Sequence, residues 1–238
     1  MDHVAIRRLA LSLAAVSFGL LSAVMLVYSA CFSETGYLPQ TVQTVAQDPA
    51  PQSLPLQVDG TALIVKNLAV YDGPFFEDGS GREVLGVAAL VVQNSSAKML
   101  RFFCIELEIN HEQYVFECMF LPPFSTVLIP EKTAKSYVNG SITACAGTAV
   151  EAGDAPSCYV QITASGMSSL CITNPQCQAV SGLSLYHKTY LADASMYIGG
   201  VAFRTVLPTM QPGEQVTVTP QNFAADYSQI LAVEQGNE

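Results

Sequence analysis

The chain has 238 residues, half of them hydrophobic, no tryptophan and a formal net charge of −10. This is the composition of a folding chain, long enough for two domains. Of its 20 acidic and 10 basic residues only Asp2, Arg7 and Arg8 precede Cys31, so the remainder carries a charge near −11, which repels nucleic acid and anionic headgroups and excludes DNA and RNA as expected partners.

The first predicted element is an uncharged apolar run from Leu9 to Ala30 behind Arg7-Arg8. At ~1.5 Å per helical residue it matches the ~30 Å hydrocarbon core of a bilayer. No Lys or Arg follows until Lys66, so the positive-inside rule leaves residues 1–8 cytoplasmic and everything from about Cys31 outside. An uncleaved single-pass anchor is preferred, because the apolar regions of signal peptides run only ~7 to 15 residues. A lipoprotein signal is the alternative: Ser29-Ala30-Cys31 resembles the end of a bacterial lipobox, with Cys31 as the lipidated residue, although Tyr28 stands where Leu is preferred. Ordinary cleavage would need a small residue at Tyr28, and a soluble core helix rarely runs this far without a charge.

Residues 31–54 read as a linker, since Thr35 to Leu54 is rich in Gln, Thr, Pro and Ala with one charge, Asp48, and no periodicity. Beyond it the period becomes two. Ala62 to Tyr71 and Glu83 to Gln93 read as strands around the turn Glu77-Asp78-Gly79-Ser80-Gly81. Phe103, Ile105, Leu107 and Ile109 form one apolar face, Tyr114, Phe116, Cys118 and Phe120 the next. With Asn110 to Gln113 as a four-residue connection, the expected hairpin pairs Ile109 with Tyr114, Leu107 with Phe116, Ile105 with Cys118 and Phe103 with Phe120. No segment past residue 35 combines helix caps with a 3.6-residue period, so the exported part is expected to be all-β.

The stretch is also internally repeated. Leu90 to Asn94 matches Leu170 to Asn174 at an offset of 80, and Pro122 to Tyr137 lies over Pro212 to Tyr227 at an offset of 90. About ten residues are therefore added between the anchors of the second copy, and the expected place is a loop expanded across Lys188 to Gly200. That loop and its base hold the candidate binding residues Tyr186, His187, Tyr190, Asp193 and Tyr197, because loops on a rigid scaffold commonly carry binding. The competing reading is a decorated loop whose tyrosines pack on their own sandwich.

Val91-Val92-Gln93-Asn94-Ser95-Ser96 with Leu121-Pro122-Pro123, and Ile172-Thr173-Asn174 with Gln211-Pro212-Gly213-Glu214, resemble the small immunoglobulin-like modules of bacterial envelope proteins, including FxLYD-type domains. Leu68 to Asp72, reading LAVYD, is a partial echo of that signature. The resemblance implies an extracytoplasmic binding or spacer module and transfers no active site. The expected fold is two tandem immunoglobulin-like β-sandwich domains, residues 55–146 and 147–238, behind the transmembrane helix at 9–30.

Chemistry is sparse. Cys104, Cys118, Cys145, Cys158, Cys171 and Cys177 contain no C-x-x-C pair, and read as structural bridges or inert thiols rather than a redox or metal site. The expected register sends Cys118 inward and Cys104 outward, which argues against a bond between them. His111 and His187 have no spaced nucleophile, and Glu106, Glu108 and Glu117 fall on a wet strand face. The turn at Glu77 to Gly81 lacks the spaced ligands of an EF-hand. No catalytic residue, cofactor or metal is assigned. The sequence points to a non-catalytic envelope protein held in the membrane by residues 9–30, meeting an envelope protein or glycan partner. The alternatives are an accessory or sensor subunit of a membrane complex, for which Ser17, Gly19, Ser22 and Ala23 offer small residues for helix packing, and, third, an exported hydrolase.

Overall fold

The computed structural model describes residues 54–153 and 160–236. The expected transmembrane helix, the cytoplasmic N-terminus, nearly all of the linker, Cys31 and Cys158 lie outside the described residues. Within them the chain is all-β and contains no helix.

After a short β1 (Leu56–Gln57), strands β2 (Leu63–Phe75) and β3 (Arg82–Asn94) form the expected hairpin, with β2 beginning one residue later and running four residues further and β3 longer by one residue at each end than the sequence implied. Its turn is closed by Gly79 N–H on Phe76 O and by the Asp78 carboxylate, which accepts from Ser80 N and Arg82 Nε. β4 (Leu100–Ile109) and β5 (Glu112–Leu121) form the second hairpin. Here the register differs from the expectation by two residues: Leu107 faces Tyr114, Ile105 faces Phe116, Phe103 faces Cys118, and Ile109 pairs with Glu112. The turn is only Asn110-His111, both in the left-handed region at φ 52° and 66°, the conformation whose twist suits a two-residue hairpin. A slip of two keeps every side chain on its face, so Cys118 is buried and Cys104 stays on the wetter face as expected. β6 (Thr126–Pro130) then pairs with β3, and β7 (Ile142–Glu151) with β4.

The same pairing scheme recurs. β8 (Gln161–Ala164), β9 (Leu170–Thr173) and β12 (Gln215–Val218) repeat the order of β2, β3 and β6. β10 (Leu183–Leu191), β11 (Met196–Val206) and β13 (Ser228–Gln235) repeat that of β4, β5 and β7. A buried asparagine marks each copy. Asn94 Nδ2 donates to Lys98 O, Leu121 O and Pro122 O, while its Oδ1 accepts from Ser96 N; Asn174 makes the same set with Gln178 O, Met210 O, Gln211 O and Gln176 N. Both are fully buried. The second anchor is thereby shifted by one residue, to an offset of 89, which also places Phe124 (φ 55°) over Gly213 (φ 74°) in the same left-handed turn.

The copies share a sheet. Met196, Tyr197 and Ile198 of β11 run parallel to Thr126, Val127 and Leu128 of β6, giving one seven-stranded sheet in the order β1-β2-β3-β6-β11-β10-β13. The expected domain limit at 146/147 falls inside β7, and the described residues belong to one compact unit. The three-stranded β5-β4-β7 covers one face of the long sheet over a core that includes Leu63, Leu90, Phe103, Leu107 and Phe116. On the other face lie a smaller cluster around Tyr71, Phe75 and Leu128 and, beneath β12-β9-β8, a third around Leu170, Leu185 and Phe223. Neighbours on β11 point to opposite clusters, Tyr197 to the first and Ile198 to the second.

Candidate functional site at the junction of the two copies

The added residues do not form a loop. Six residues separate Leu107 from Tyr114, whereas fifteen separate their equivalents His187 and Phe203. The surplus extends the β10–β11 hairpin into an arm whose tip, Ala192 to Ser195, is a turn. The arm lies on the first copy and supplies the parallel strand to β6. Two irregularities shape it. A bulge between His187 and Thr189 leaves Lys188 unpaired with β11, and bulges re-aim side chains. Near the other strand's start, Gly199 takes φ 83° and Gly200 passes so close to β5 that a Cβ would sit 1.9 Å from Glu117 O.

The five expected binding residues do not converge on a surface. Tyr186 packs at a tilt against Phe120 of the first copy at 4.6 Å, and Arg101, which lies over the Phe120 ring, donates to Glu234 at 2.8 Å. Tyr190 and Tyr197 meet at 4.9 Å, with Tyr197 buried and its hydroxyl donating to Gln229 Oε1; both pack on the first copy's core. His187 lies on the opposite face, between Phe203 at 5.3 Å and the edge of Phe223 at 5.4 Å. Asp193 is exposed at the tip of the arm.

His187 occupies the position held by Leu107 in the first copy. It is fully buried, and among the described residues neither ring nitrogen has a hydrogen-bond partner. Burial lowers its pKa from the ordinary 6.5 to about 4, against a weaker upward pull from the nearby backbone of Asn222 and Gln221, which stops short of hydrogen-bond geometry.

Lys188 is equally buried. Its Nζ donates to Met119 O at 2.7 Å, to Gly200 O at 3.1 Å and to Cys118 Sγ at 3.1 Å. Glu77, at the end of the β2–β3 hairpin, approaches the same glycine from the other side: its Oε1 accepts from Gly200 N at 2.9 Å and its Oε2 from Phe76 N at 3.2 Å. Burial raises the Glu77 carboxyl, opposed by these donors and by the positive charge of Lys188. Burial likewise raises the Cys118 thiol, opposed by Lys188. Beside Glu77 a cleft of about 20 Å³, room for roughly one water, is lined by Tyr71, Phe76, Thr189, Ile198 and Phe203.

Sequence reasoning passed over Lys188 and Glu77. The signal available was the pair Gly199-Gly200 inside an otherwise β-like run, since strand glycines mark bulges and close backbone approach. Elsewhere the expectations of surface character agree with the geometry: Glu117 pairs with Lys132 and Glu108 lies near His111 on the wet face. The five described cysteines are not joined to one another, and no group of metal-ligating side chains occurs among the described residues. Compared with known proteins, the chain matches no family model and no curated protein significantly.

Proposed function

We propose that this chain is a membrane-anchored, extracytoplasmic binding or spacer protein of the bacterial cell envelope, in which two immunoglobulin-like modules act by surface contact without catalysis. The observation that carries the reading is the arm: β11 adds to β6 in parallel, and Tyr186, Tyr190 and Tyr197 are used up inside the chain. A pair of modules welded in this way transmits position and resists bending, as a spacer or display platform must. Two sets of three paired strands per copy, β2-β3-β6 against β5-β4-β7 in the first and β8-β9-β12 against β11-β10-β13 in the second, with one set from each copy joined in the long sheet, support the immunoglobulin-like assignment. The apolar run at residues 9–30 and the acidic remainder support an anchored, exported chain that avoids nucleic acid.

The test uses the full chain in intact bacterial cells, with a protease site or an accessible cysteine introduced at the tip residue Asp193. Cleavage or labelling from outside, with the chain in the membrane fraction, is the expected result; protection until the cells are lysed would refute the export reading. Photocrosslinking from the same position then separates the roles, since one reproducible protein adduct would favour the accessory-subunit alternative over a spacer.

A further inference from the structure

Cys118 and Lys188 stand 70 positions apart, on β5 of the first copy and on the bulge of the arm, and their side chains meet in the sealed space between the copies. The repeated framework requires neither residue. The second-copy equivalent of Cys118 is the core residue Leu207, and the first-copy equivalent of Lys188 is Glu108 on the wet face. The pair belongs to the junction itself. All three proton-bearing directions of Nζ are engaged, two by the carbonyls of Met119 and Gly200 and the third by sulfur, so nitrogen and sulfur are held facing each other by two strands. Such fixed approach replaces a bimolecular encounter and raises the effective concentration of one group toward the other by orders of magnitude. The separation of 3.1 Å is that of a hydrogen-bonded nitrogen and sulfur, and a small further approach of the two side chains admits one bridging atom.

We propose that Lys188 Nζ and Cys118 Sγ are joined through one oxygen, an N–O–S bridge formed with dioxygen, which staples the arm covalently to the first copy. The step balances. As hydrogen-bonded, the pair carries four hydrogens, three on the Lys188 ammonium and one on the Cys118 thiol; one leaves as a proton to solvent, two leave with one oxygen atom as water, one stays on nitrogen, and the second oxygen becomes the bridge. Nitrogen and sulfur each lose two electrons, and dioxygen takes all four. The S–H bond, two N–H bonds and the O–O bond break, while the S–O and N–O bonds and the O–H bonds of water form. The product belongs beside the reversible oxidised forms of cysteine, which thiol reductants return to the thiol. It ties two segments far apart in sequence, so it closes a long loop and restrains the unfolded chain as a disulfide would.

The experiment takes the full chain purified in air-saturated buffer without reductant, denatures it, blocks free thiols with iodoacetamide, and maps tryptic peptides by mass spectrometry. The expected product is a linked pair containing Cys118 and Lys188, heavier than the two peptides by one oxygen and lighter by two hydrogens. Cleavage after Lys188 is suppressed, and dithiothreitol abolishes the product. Full alkylation of Cys118 with normal cleavage after Lys188 overturns the proposal, as does recovery of Cys118 solely as a sulfinic acid, a sulfonic acid or a disulfide. Cys118→Ser keeps an acceptor for Lys188 and gives a second readout: the wild type should melt several degrees lower after reduction, the variant at one temperature with or without dithiothreitol. Equal melting of the wild type in both conditions counts against the bridge.

Discussion

Replacing His187 by Leu should remove an acid-sensitive term from stability and leave the fold intact, because the equivalent first-copy position, Leu107, shows what the site accommodates. The imidazole is buried between Phe203 and Phe223 with a pKa lowered to about 4 from 6.5. Its folded-state pKa is depressed, so the unfolded chain takes up the proton first as pH falls. The associated stability is present above about pH 6.5 and drains away down to about pH 4. Linkage puts the loss at about 2 kcal/mol by pH 5 and about 3 kcal/mol by pH 4. Glu77 acts with the opposite sign, since its raised pKa adds stability on acidification, but it is present in both proteins and drops out of their difference. The assay is urea unfolding of the wild type and His187→Leu in detergent micelles between pH 7.5 and 4, followed by far-UV circular dichroism because the chain has no tryptophan. The variant should be more stable by about 1 kcal/mol at pH 7.5, where two unpartnered ring nitrogens are no longer buried. Its advantage should widen by about 3 kcal/mol at pH 4. Parallel loss of stability in the two proteins across this range would refute the reasoning.

Gly200→Ala should lower the melting temperature by about 6 to 12 °C, corresponding to about 3 kcal/mol, because its methyl group meets Glu117 O and the arm must lift from β5. A melting curve unchanged from the wild type would mean that the arm is not seated there. Tyr197→Phe should cost about 1 kcal/mol through the lost hydrogen bond to Gln229, and Tyr197→Ala about 3 to 5 kcal/mol through the lost packing, both read from urea midpoints. Asn94→Ala and Asn174→Ala should each cost about 2 to 3 kcal/mol by leaving buried carbonyls unpaired. The two losses should add in the double variant, since each asparagine serves its own copy.

The period-two alternation from Phe103 to Ile109 and from Tyr114 to Phe120 made both faces of the β4–β5 hairpin legible, because a sheet with one wet side writes its burial into alternate residues. Its register was missed by two, since two residues with positive φ turn the chain where four polar residues suggested a wider connection. The surplus of residues between Tyr186 and Gly200 was legible as an insertion, yet its form as paired strands was not. The bulge at Lys188 and the Gly199-Gly200 approach break the alternation that marks a strand. For the candidate residues the outcome was mixed: their place on the added segment could be read and inward-packed tyrosines were the competing reading, whereas the packing of Tyr190 and Tyr197 on the first copy rather than on their own sandwich could not be read.

Local pattern by itself determined that the described chain is all-β and that one strand scheme occurs twice, because side-chain alternation and turn residues act over a few positions. Tertiary structure decided how the copies meet. The β6–β11 pairing joins Val127 to Tyr197 across 70 positions, and only that non-local contact turns Tyr197, Lys188 and Gly200 into interior residues, so no short stretch of sequence carries the information.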